Sequence, residues 1–282
     1  MKLVTLDYGC GTSSSILDYG DPRVEVVTEN SWRRLLDTDD DYFLVGHDFL
    51  SFMWADEKSV RDWESRRGKQ WLWCFERVDA IVPTWRAKSH ASLSVAVKFC
   101  ERVFACDESD CDRYGFEWLP QWASRRFYDE RLKPVLDGRY LFCGQANKPE
   151  YAMRDSFLSA VVADESLSSS IAIVDSARRL SWDEYVSRSL SFGGCLNPIG
   201  VLQGLNTRAW EAIYAGRSLL QHRVGQYRRH QELLSSTPGV IFFDEASSLK
   251  GLSLSVKPLD SSLSFKKNSL YARMQLIGAW AT

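Results

Sequence analysis

One segment of the chain combines helix-capping residues, a cation and an isolated acid within twenty positions. QGLNTRAWEAIYAGRSLLQH (203–222) contains Asn206 and Thr207, followed by Arg208 and then by Glu211 among apolar neighbours. Asn and Thr are favoured helix N-caps, so the segment predicts a helix that begins here. The first turn of a helix presents unpaired N–H groups and a partial positive charge, which suit a phosphate.

The neighbouring residues suggest how a ligand could be held. Gly204 lets the backbone approach a ligand closely, and the Arg208 guanidinium adds a positive charge with parallel N–H donors. Glu211 lies about one turn into the helix, where its carboxylate can accept hydrogen bonds from sugar hydroxyls. Gly216 suits a C-terminal cap, after which residues 218–222 read as a strand. The pattern is compatible with a nucleotide site, but any α/β protein has capped helices, so a capped helix without a ligand is the alternative.

Eleven short apolar runs that alternate with amphipathic segments predict the elements that position this segment. Runs that are apolar on both faces and separated by helices are typical of parallel sheets covered on both sides. The predicted strands are 2–7, 24–29, 42–47, 70–76, 102–107, 116–121, 139–144, 170–175, 193–200, 218–222 and 239–245.

A charged stretch interrupts this alternation and divides the chain. The interruption predicts an N-terminal Rossmann-like domain over 1–128, a linker over 129–138, a second Rossmann-like domain over 139–262 and a C-terminal helix over 263–282. In such sheets, ligands bind beyond the carboxyl ends of the strands. We therefore expect an α/β protein with two halves that face a cleft.

Composition limits the class of partner. The chain has 282 residues, of which 45% are hydrophobic and 26% charged, as is ordinary for a globular protein. Its net charge of −2 gives no global basic field for nucleic acid. Eleven Trp and eleven Tyr could stack on sugars or bases, or could fill the core.

The sequence gives no sign of membrane insertion or secretion. No run approaches the roughly 18 apolar residues of a spanning helix, and the N-terminus reads as a strand. The seven cysteines are odd in number and lie mostly in apolar runs, which indicates reduced thiols and a cytoplasmic location. Cysteine and histidine show no zinc-ligand spacing.

Several segments, in order, resemble one family of enzymes. GLNTRAWEAIYAGRSLLQH and GVIFFDEASSLKG resemble the donor-binding segment of two-domain glycosyltransferases with the GT-B fold, in particular a family-one-like, spore-maturation-type group. FACDESDCDRYGFEWLPQWASRRFY, YLFCGQANKPEYAMR and WDEYVSRSLSFGGCLNP resemble preceding segments of that group. The resemblance extends from about residue 70 onward and rests on the order and spacing of loose motifs.

The resemblance implies a fold, a reaction and a donor site. It implies a GT-B fold whose C-terminal helix crosses back to the first domain, and a metal-independent transferase that uses a nucleotide sugar, a UDP-sugar in our expectation, with no other cofactor. The family's ribose-binding glutamate corresponds to Glu211. The backbone at Asn206 and Thr207 would hold the diphosphate, and Lys148 or Arg154 would neutralise it.

One position departs from the family pattern. Retaining members carry a second glutamate eight positions before the ribose glutamate, where this chain has Gln203. A neutral amide favours an inverting reaction, which needs a base on the acceptor side. Candidate bases at the ends of N-terminal strands are Asp7, His47, Asp48 and Glu76, and a histidine at a strand end is alternatively structural.

The sequence is compatible with several acceptors and with two rival functions. Acceptors include a glycan, a protein, a small metabolite or a hydroxymethylated base in DNA. A non-catalytic nucleotide-sugar-binding module is the main alternative. An NAD-type Rossmann enzyme is disfavoured because no G-x-G-x-x-G follows the first strand. We expect the acidic stretch at 107–110 to be surface and not a metal site.

Overall fold

The chain forms two compact units in the computed structural model. The first unit comprises Met1–Gln121 and Arg273–Thr282, and the second comprises Trp122–Ala272. The structure describes residues 1–7, 11–28, 30–46, 57–75, 77, 98–145, 151–175, 180–198, 200, 206–223, 228–235, 237–250, 256 and 260–281.

The first unit contains a six-stranded sheet in which every pairing is parallel, in the order β2-β1-β3-β4-β5-β6. Its strands are β1 (Lys2–Leu6), β2 (Val24–Val27), β3 (Tyr42–Val45), β4 (Gln70–Cys74), β5 (Arg102–Ala105) and β6 (Glu117–Trp118). All six predicted strands are confirmed. The strand order reverses at β1 and β3, whose carboxyl ends therefore flank the switch point of this sheet.

Helices cover this sheet. They are α1 (Gly11–Leu17), a 3₁₀ helix (Trp32–Asp37), α2 (Glu57–Glu64) and α3 (Glu108–Tyr114). All four residues of β3 are buried, as expected for a central strand that is packed on both faces. Core residues include Leu44, Trp63 and Leu72, each with at most 1% of its surface exposed.

The acidic stretch at the start of α3 is buried, which corrects its assignment as surface. Asp107, Glu108 and Asp110 are 1%, 5% and 1% exposed. Asp107 is the N-cap of α3, and its carboxylate accepts a hydrogen bond of 2.9 Å from the Ser109 N–H. The surface assignment followed from the resemblance to transferases that need no metal, whereas carboxylates at a helix start satisfy backbone donors and are buried at less cost.

The end of the chain packs within the first unit. Arg102 on β5 donates a 2.6 Å hydrogen bond to the Ile277 carbonyl. The Trp280 indole N–H donates to the Met1 carbonyl at 3.1 Å, and the Arg23 guanidinium lies 3.8 Å from the centre of the Trp280 ring. These contacts attach the last residues of the chain to β5 and to the residues that precede β1 and β2.

The second unit contains a five-stranded parallel sheet in the order β11-β10-β9-β7-β8. Its strands are β7 (Asp137–Gly144), β8 (Ile171–Asp175), β9 (Phe192–Asn197), β10 (Ser218–His222) and β11 (Val240–Phe243). These strands confirm the remaining five predictions, so the α/β class with two parallel sheets is correct. The order reverses between β7 and β9, which is the switch point of this sheet.

Helices lie on both faces of this second sheet. They are α4 (Arg125–Asp129), α5 (Ala152–Ala163), α6 (Glu165–Ser170), α7 (Trp182–Ser191), α8 (Thr207–Tyr214), α9 (Arg228–Ser235), a 3₁₀ helix (Ala246–Leu249) and α10 (Ser261–Asn268). The last helix, α11 (Leu270–Leu276), begins in the second unit and ends in the first. Helices α7, α8 and α9 pack with Leu219 in one buried cluster, and α5 and α6 pack with Phe142 and Leu220 in another. Consecutive strand residues therefore point to opposite helical layers.

The C-terminal segment differs from the single helix that was predicted over 263–282. It forms α10 and α11, which are separated by Ser269 in an extended conformation with φ −63° and ψ 163°. The Ser269 hydroxyl accepts a 3.3 Å hydrogen bond from the Ala272 N–H. A serine with this geometry caps the start of a new helix, which explains why the first helix ends there.

Candidate functional site

Helix α8 has the two ends that its sequence predicted. The Asn206 side chain caps the start and accepts a 3.0 Å hydrogen bond from the Arg208 N–H. Gly216 follows the helix with a left-handed φ of 67°, and the Arg217 N–H bonds back to the Ala212 carbonyl at 2.9 Å. This is the Schellman arrangement, in which glycine avoids the strain of a positive φ.

Glu211 is buried on the side of α8 that faces the sheet. It is 5% exposed, and the Tyr185 hydroxyl on α7 donates a 2.5 Å hydrogen bond to its carboxylate. Burial raises the pKa of Glu211 to about 7, although the Tyr185 hydrogen bond and the Arg208 charge favour the ionised form. An isolated glutamate in a largely apolar helix is therefore a carboxyl group that titrates near neutral pH.

A small cavity of about 20 Å³ adjoins this carboxylate, with room for about one water molecule. Its polar lining includes Tyr185, Ser189, Arg208 and Glu211. The remaining lining residues are Phe127, Leu141, Cys143, Gly194, Cys195, Ala212, Ala215 and Arg217. Because this cavity has room for only about one water molecule, the buried Glu211 carboxylate loses much of its hydration, which accounts for the raised pKa.

Two arginines from opposite helical layers approach the ring of Phe142 near the end of β7. The guanidinium carbon of Arg208 on α8 lies 5.2 Å from the ring centre, and that of Arg154 on α5 lies 5.6 Å from it. Arg154 also donates a 2.8 Å hydrogen bond to the Gln145 carbonyl and lies 4.3 Å from the centre of the Tyr151 ring. Two cations therefore lie beside the carboxyl end of one strand.

Two glycines leave the room that these guanidinium groups occupy. A Cβ atom on Gly200 would lie 2.0 Å from Nη2 of Arg154, and one on Gly144 would lie 2.8 Å from Nη2 of Arg208. Real Cβ atoms do not approach other heavy atoms so closely. The positions of both arginines therefore depend on the absence of a side chain at these two glycines.

The electrostatics of the arginine pair favour an anion. Arg154 is 6% exposed, and burial followed by the charge of Arg208 lowers its pKa to about 10. The group remains protonated at neutral pH, so two like charges are held near each other at some cost. A phosphate or diphosphate bound between them would relieve this repulsion through charge-assisted hydrogen bonds.

The pair lies at the switch point of the second sheet. Arg154 follows β7 on α5 and Arg208 follows β9 on α8, and the strand order reverses between these two neighbouring strands. Connections from such strands leave toward opposite faces, which opens a crevice at the carboxyl edge where ligands bind. Topology and charge therefore indicate the same location.

The structure places some of the predicted donor-site residues together. Arg154, Asn206, Thr207, Arg208 and Glu211 all belong to helices α5 and α8 or to the cap of α8. Predicted donor-site residues that lie outside the described part of the chain are Lys148, Gln203 and Gly204.

The predicted bases belong to the first unit. Asp7 is exposed and immediately follows β1, one of the two strands at the switch point of that sheet. His47, Asp48 and Glu76 lie outside the described residues.

Sequence reasoning missed three residues that shape the second-unit site. Tyr185 donates to Glu211 across 26 positions, Phe142 supports both arginines, and Gly144 makes room for Arg208. No local pattern marks the first two, because a tyrosine in an amphipathic helix and a phenylalanine in a strand both read as core. Gly144 ends a strand, and this position was the only available signal.

The described part of the chain has neither a metal-binding cluster nor a helix suited to span a membrane. Within the described ranges, no group of three or more His, Cys, Asp or Glu side chains is arranged to hold a metal ion. Among the helices that the structure describes, none has both the length and the apolar character needed to cross a membrane.

Comparison with known proteins shows similarity at the level of fold. No protein-family model matches the sequence, and no curated protein matches it. Alr3699/HepE of Anabaena in complex with UDP superposes with a TM-score of 0.59 at 10% identity, covering 99% of each chain. The complex of the same protein with UDP and glucose gives a TM-score of 0.61 at 10% identity, covering 99% of this chain and 98% of that one. The chain therefore has a fold similar to that of Alr3699/HepE.

Proposed function

We propose that this protein is a glycosyltransferase of GT-B architecture, which transfers a sugar from a UDP-sugar to a hydroxyl acceptor. The observation that carries the proposal is the pair of Arg154 and Arg208 at the switch point of the second sheet, together with the buried carboxyl of Glu211. The fold similarity to a protein that was crystallised with UDP and with glucose supports the same choice of ligand.

The arginine pair would hold the diphosphate of the donor. As the bond between sugar and phosphate breaks, negative charge grows on the departing nucleotide, and fixed cations stabilise that charge. The Thr207 N–H in the first turn of α8 would add a donor, as would the backbone near Asn206 and Gly204. Because the side chains of Arg154, Arg208 and Lys148 would supply this positive charge, we propose that the transfer needs no metal.

Glu211 would hold the ribose of the donor. One carboxylate oxygen already accepts the Tyr185 hydroxyl, and the other would accept the sugar hydroxyls once the adjoining cavity, which has room for about one water molecule, widens to admit the ribose. The charged form is the better acceptor, and a positively charged Arg208 nearby favours that form. Gln203 would contribute a neutral hydrogen bond to the donor.

The base that activates the acceptor would come from the first unit. Asp7 follows β1, and in the sequence His47 and Asp48 follow β3 while Glu76 follows β4. Strands β1 and β3 flank the switch point of that sheet, where a ligand is expected. We propose a single displacement with inversion, in which one of these groups takes the proton of the attacking hydroxyl.

The acceptor we propose is a hydroxyl of a glycan or protein, or a hydroxymethylated base in DNA. An assay that supplies each acceptor class separately with labelled UDP-glucose distinguishes them by which acceptor takes up the labelled sugar. The net charge of −2 gives no general attraction for DNA.

The first experiment measures whether UDP-sugars bind and turn over. We expect UDP and UDP-glucose to raise the unfolding temperature by mass action, and labelled sugar to appear in product with inverted anomeric configuration by NMR. The double variant Arg154→Ala with Arg208→Ala should lose the thermal shift. If no UDP-sugar shifts the transition and none is consumed, the proposal is wrong.

A further inference from the structure

A chain of buried amide groups ends on Arg208. The Gln221 amide N–H donates to the His222 carbonyl at 2.9 Å. The Asn197 amide N–H donates to the Gln221 side-chain oxygen at 2.8 Å. The Asn197 oxygen then accepts a 3.0 Å hydrogen bond from Nη1 of Arg208. Each group in this series fixes the orientation of the next.

The two amides are neighbours by strand register. Asn197 ends β9 and is the direct partner of Gln221 on β10, so both side chains point to the same face of the sheet, the one on which α8 packs. They are 1% and 5% exposed. Buried amides need partners for their donors and acceptors, so a reversed Asn197 amide, with its N–H₂ toward the guanidinium, would be unfavourable.

The Arg208 guanidinium is therefore constrained on several sides. Asn197 accepts from Nη1, the Phe142 ring lies 5.2 Å from the guanidinium carbon, and Gly144 leaves just enough space beside Nη2. A long, flexible side chain that is already ordered loses less entropy when a ligand binds. The Arg208 guanidinium is therefore already oriented before a ligand binds.

The group that accepts the Arg208 hydrogen bond is a neutral amide, that of Asn197. An aspartate at position 197 would make the same contact but would pair with the guanidinium and cancel its charge. A neutral amide orients Arg208 and leaves the positive charge available to an anion. We propose that Asn197 and Gln221 are positioning residues. They would orient the Arg208 guanidinium toward the diphosphate of the donor without neutralising its positive charge, an inference that rests on the proposed function.

The test compares the affinity for UDP with the affinity for uridine, which lacks the diphosphate, by calorimetry. Asn197→Asp would cancel the Arg208 charge, and Gln221→Met would leave the Asn197 amide free to turn away from Arg208. Each variant should weaken UDP binding about ten- to hundredfold, the range expected when the contact between Arg208 and the charged diphosphate is lost, and should leave uridine binding unchanged. Asn268→Asp is the matched control, because Asn268 is also buried in the second unit but bonds to the Ser264 carbonyl. It should bind UDP like the parent protein.

A double-mutant cycle separates positioning from general damage. Gln221→Met should weaken UDP binding in the parent protein and have no further effect in the Arg208→Ala background, because its action passes through Arg208. Equal effects in both backgrounds, or none in either, would overturn the inference. Asn197→Asp provides an independent arm if Gln221→Met does not fold.

The same measurements distinguish the two proposals. If the parent protein does not bind UDP, the proposed function fails and the positioning role fails with it. If the parent binds UDP and Arg208→Ala weakens binding, but Asn197→Asp and Gln221→Met match the Asn268→Asp control, only the positioning role is wrong. If Arg208→Ala leaves UDP affinity intact, the positioning role is again wrong while the donor class stands.

Discussion

Glu211 connects the stability of the second unit with the proposed chemistry at a single residue. Its carboxyl is buried against α7 and the sheet, and the Tyr185 hydroxyl provides one hydrogen bond. A group in this environment favours its neutral form, so its pKa is raised to about 7. The protein therefore keeps, near neutral pH, a carboxyl that costs stability when it ionises, as is common for functional groups.

The residue-scale prediction concerns Glu211→Gln and pH. In the unfolded chain the carboxyl releases its proton near pH 4.5, whereas in the folded protein it keeps the proton to about pH 7. Between these values the folded state binds more protons, so the free energy of unfolding falls as pH rises, by at most roughly 3 kcal/mol. Glu211→Gln should remove this loss.

Urea unfolding at intervals between pH 4 and pH 8 measures the effect. The difference in unfolding free energy between Glu211→Gln and wild type should grow in favour of the variant from about pH 4.5 to about pH 7 and then stay constant. Glu232→Gln, at an exposed position on α9, is the matched control. A constant difference across the whole range would contradict the buried, neutral carboxyl.

At the scale of elements, the site depends on where helices α5 and α8 begin. Each follows one of the two strands at the switch point, and each brings one arginine toward Phe142. Close approach requires small residues, and Gly144 and Gly200 supply them. The loops and strand ends, more than the helix interiors, therefore determine how far apart the two charges lie.

The element-scale prediction is that Gly200→Ala impairs ligand binding more than folding. Its new Cβ would lie 2.0 Å from the tip of Arg154, a flexible group that can move away. We expect unfolding free energy to change little and UDP affinity to fall about tenfold, because Arg154 leaves its place. Gly138→Ala, whose Cβ would meet nothing within 4 Å, is the control. Unchanged UDP affinity in Gly200→Ala would show that this position of Arg154 does not matter.

At the scale of the whole molecule, the sequence predicted the α/β class, both parallel sheets and all eleven strands, because runs such as YFLV are apolar on both faces. The caps of α8 at Asn206 and Gly216 were also predictable from local chemistry. Burial of Asp107 was not predicted, because it depends on how α3 packs in the folded unit and not on the local cap, and the Tyr185 contact was not predicted, because it joins two helices.

The whole-molecule prediction concerns metal dependence. A diphosphate that leaves with bound Mg²⁺ needs acidic ligands for the ion, whereas Arg154 and Arg208 offer fixed positive charge at the switch point. We therefore expect transfer from UDP-glucose to continue at an unchanged rate in excess EDTA, and to fall with rising salt as the arginine charges are screened. Arg154→Ala, in contrast, should lose turnover and should recover part of it when Mg²⁺ is added to neutralise the diphosphate. A complete loss of transfer in EDTA that Mg²⁺ restores in the parent protein would refute the arginine-based mechanism, because the ion would then carry the charge that we assign to the two side chains.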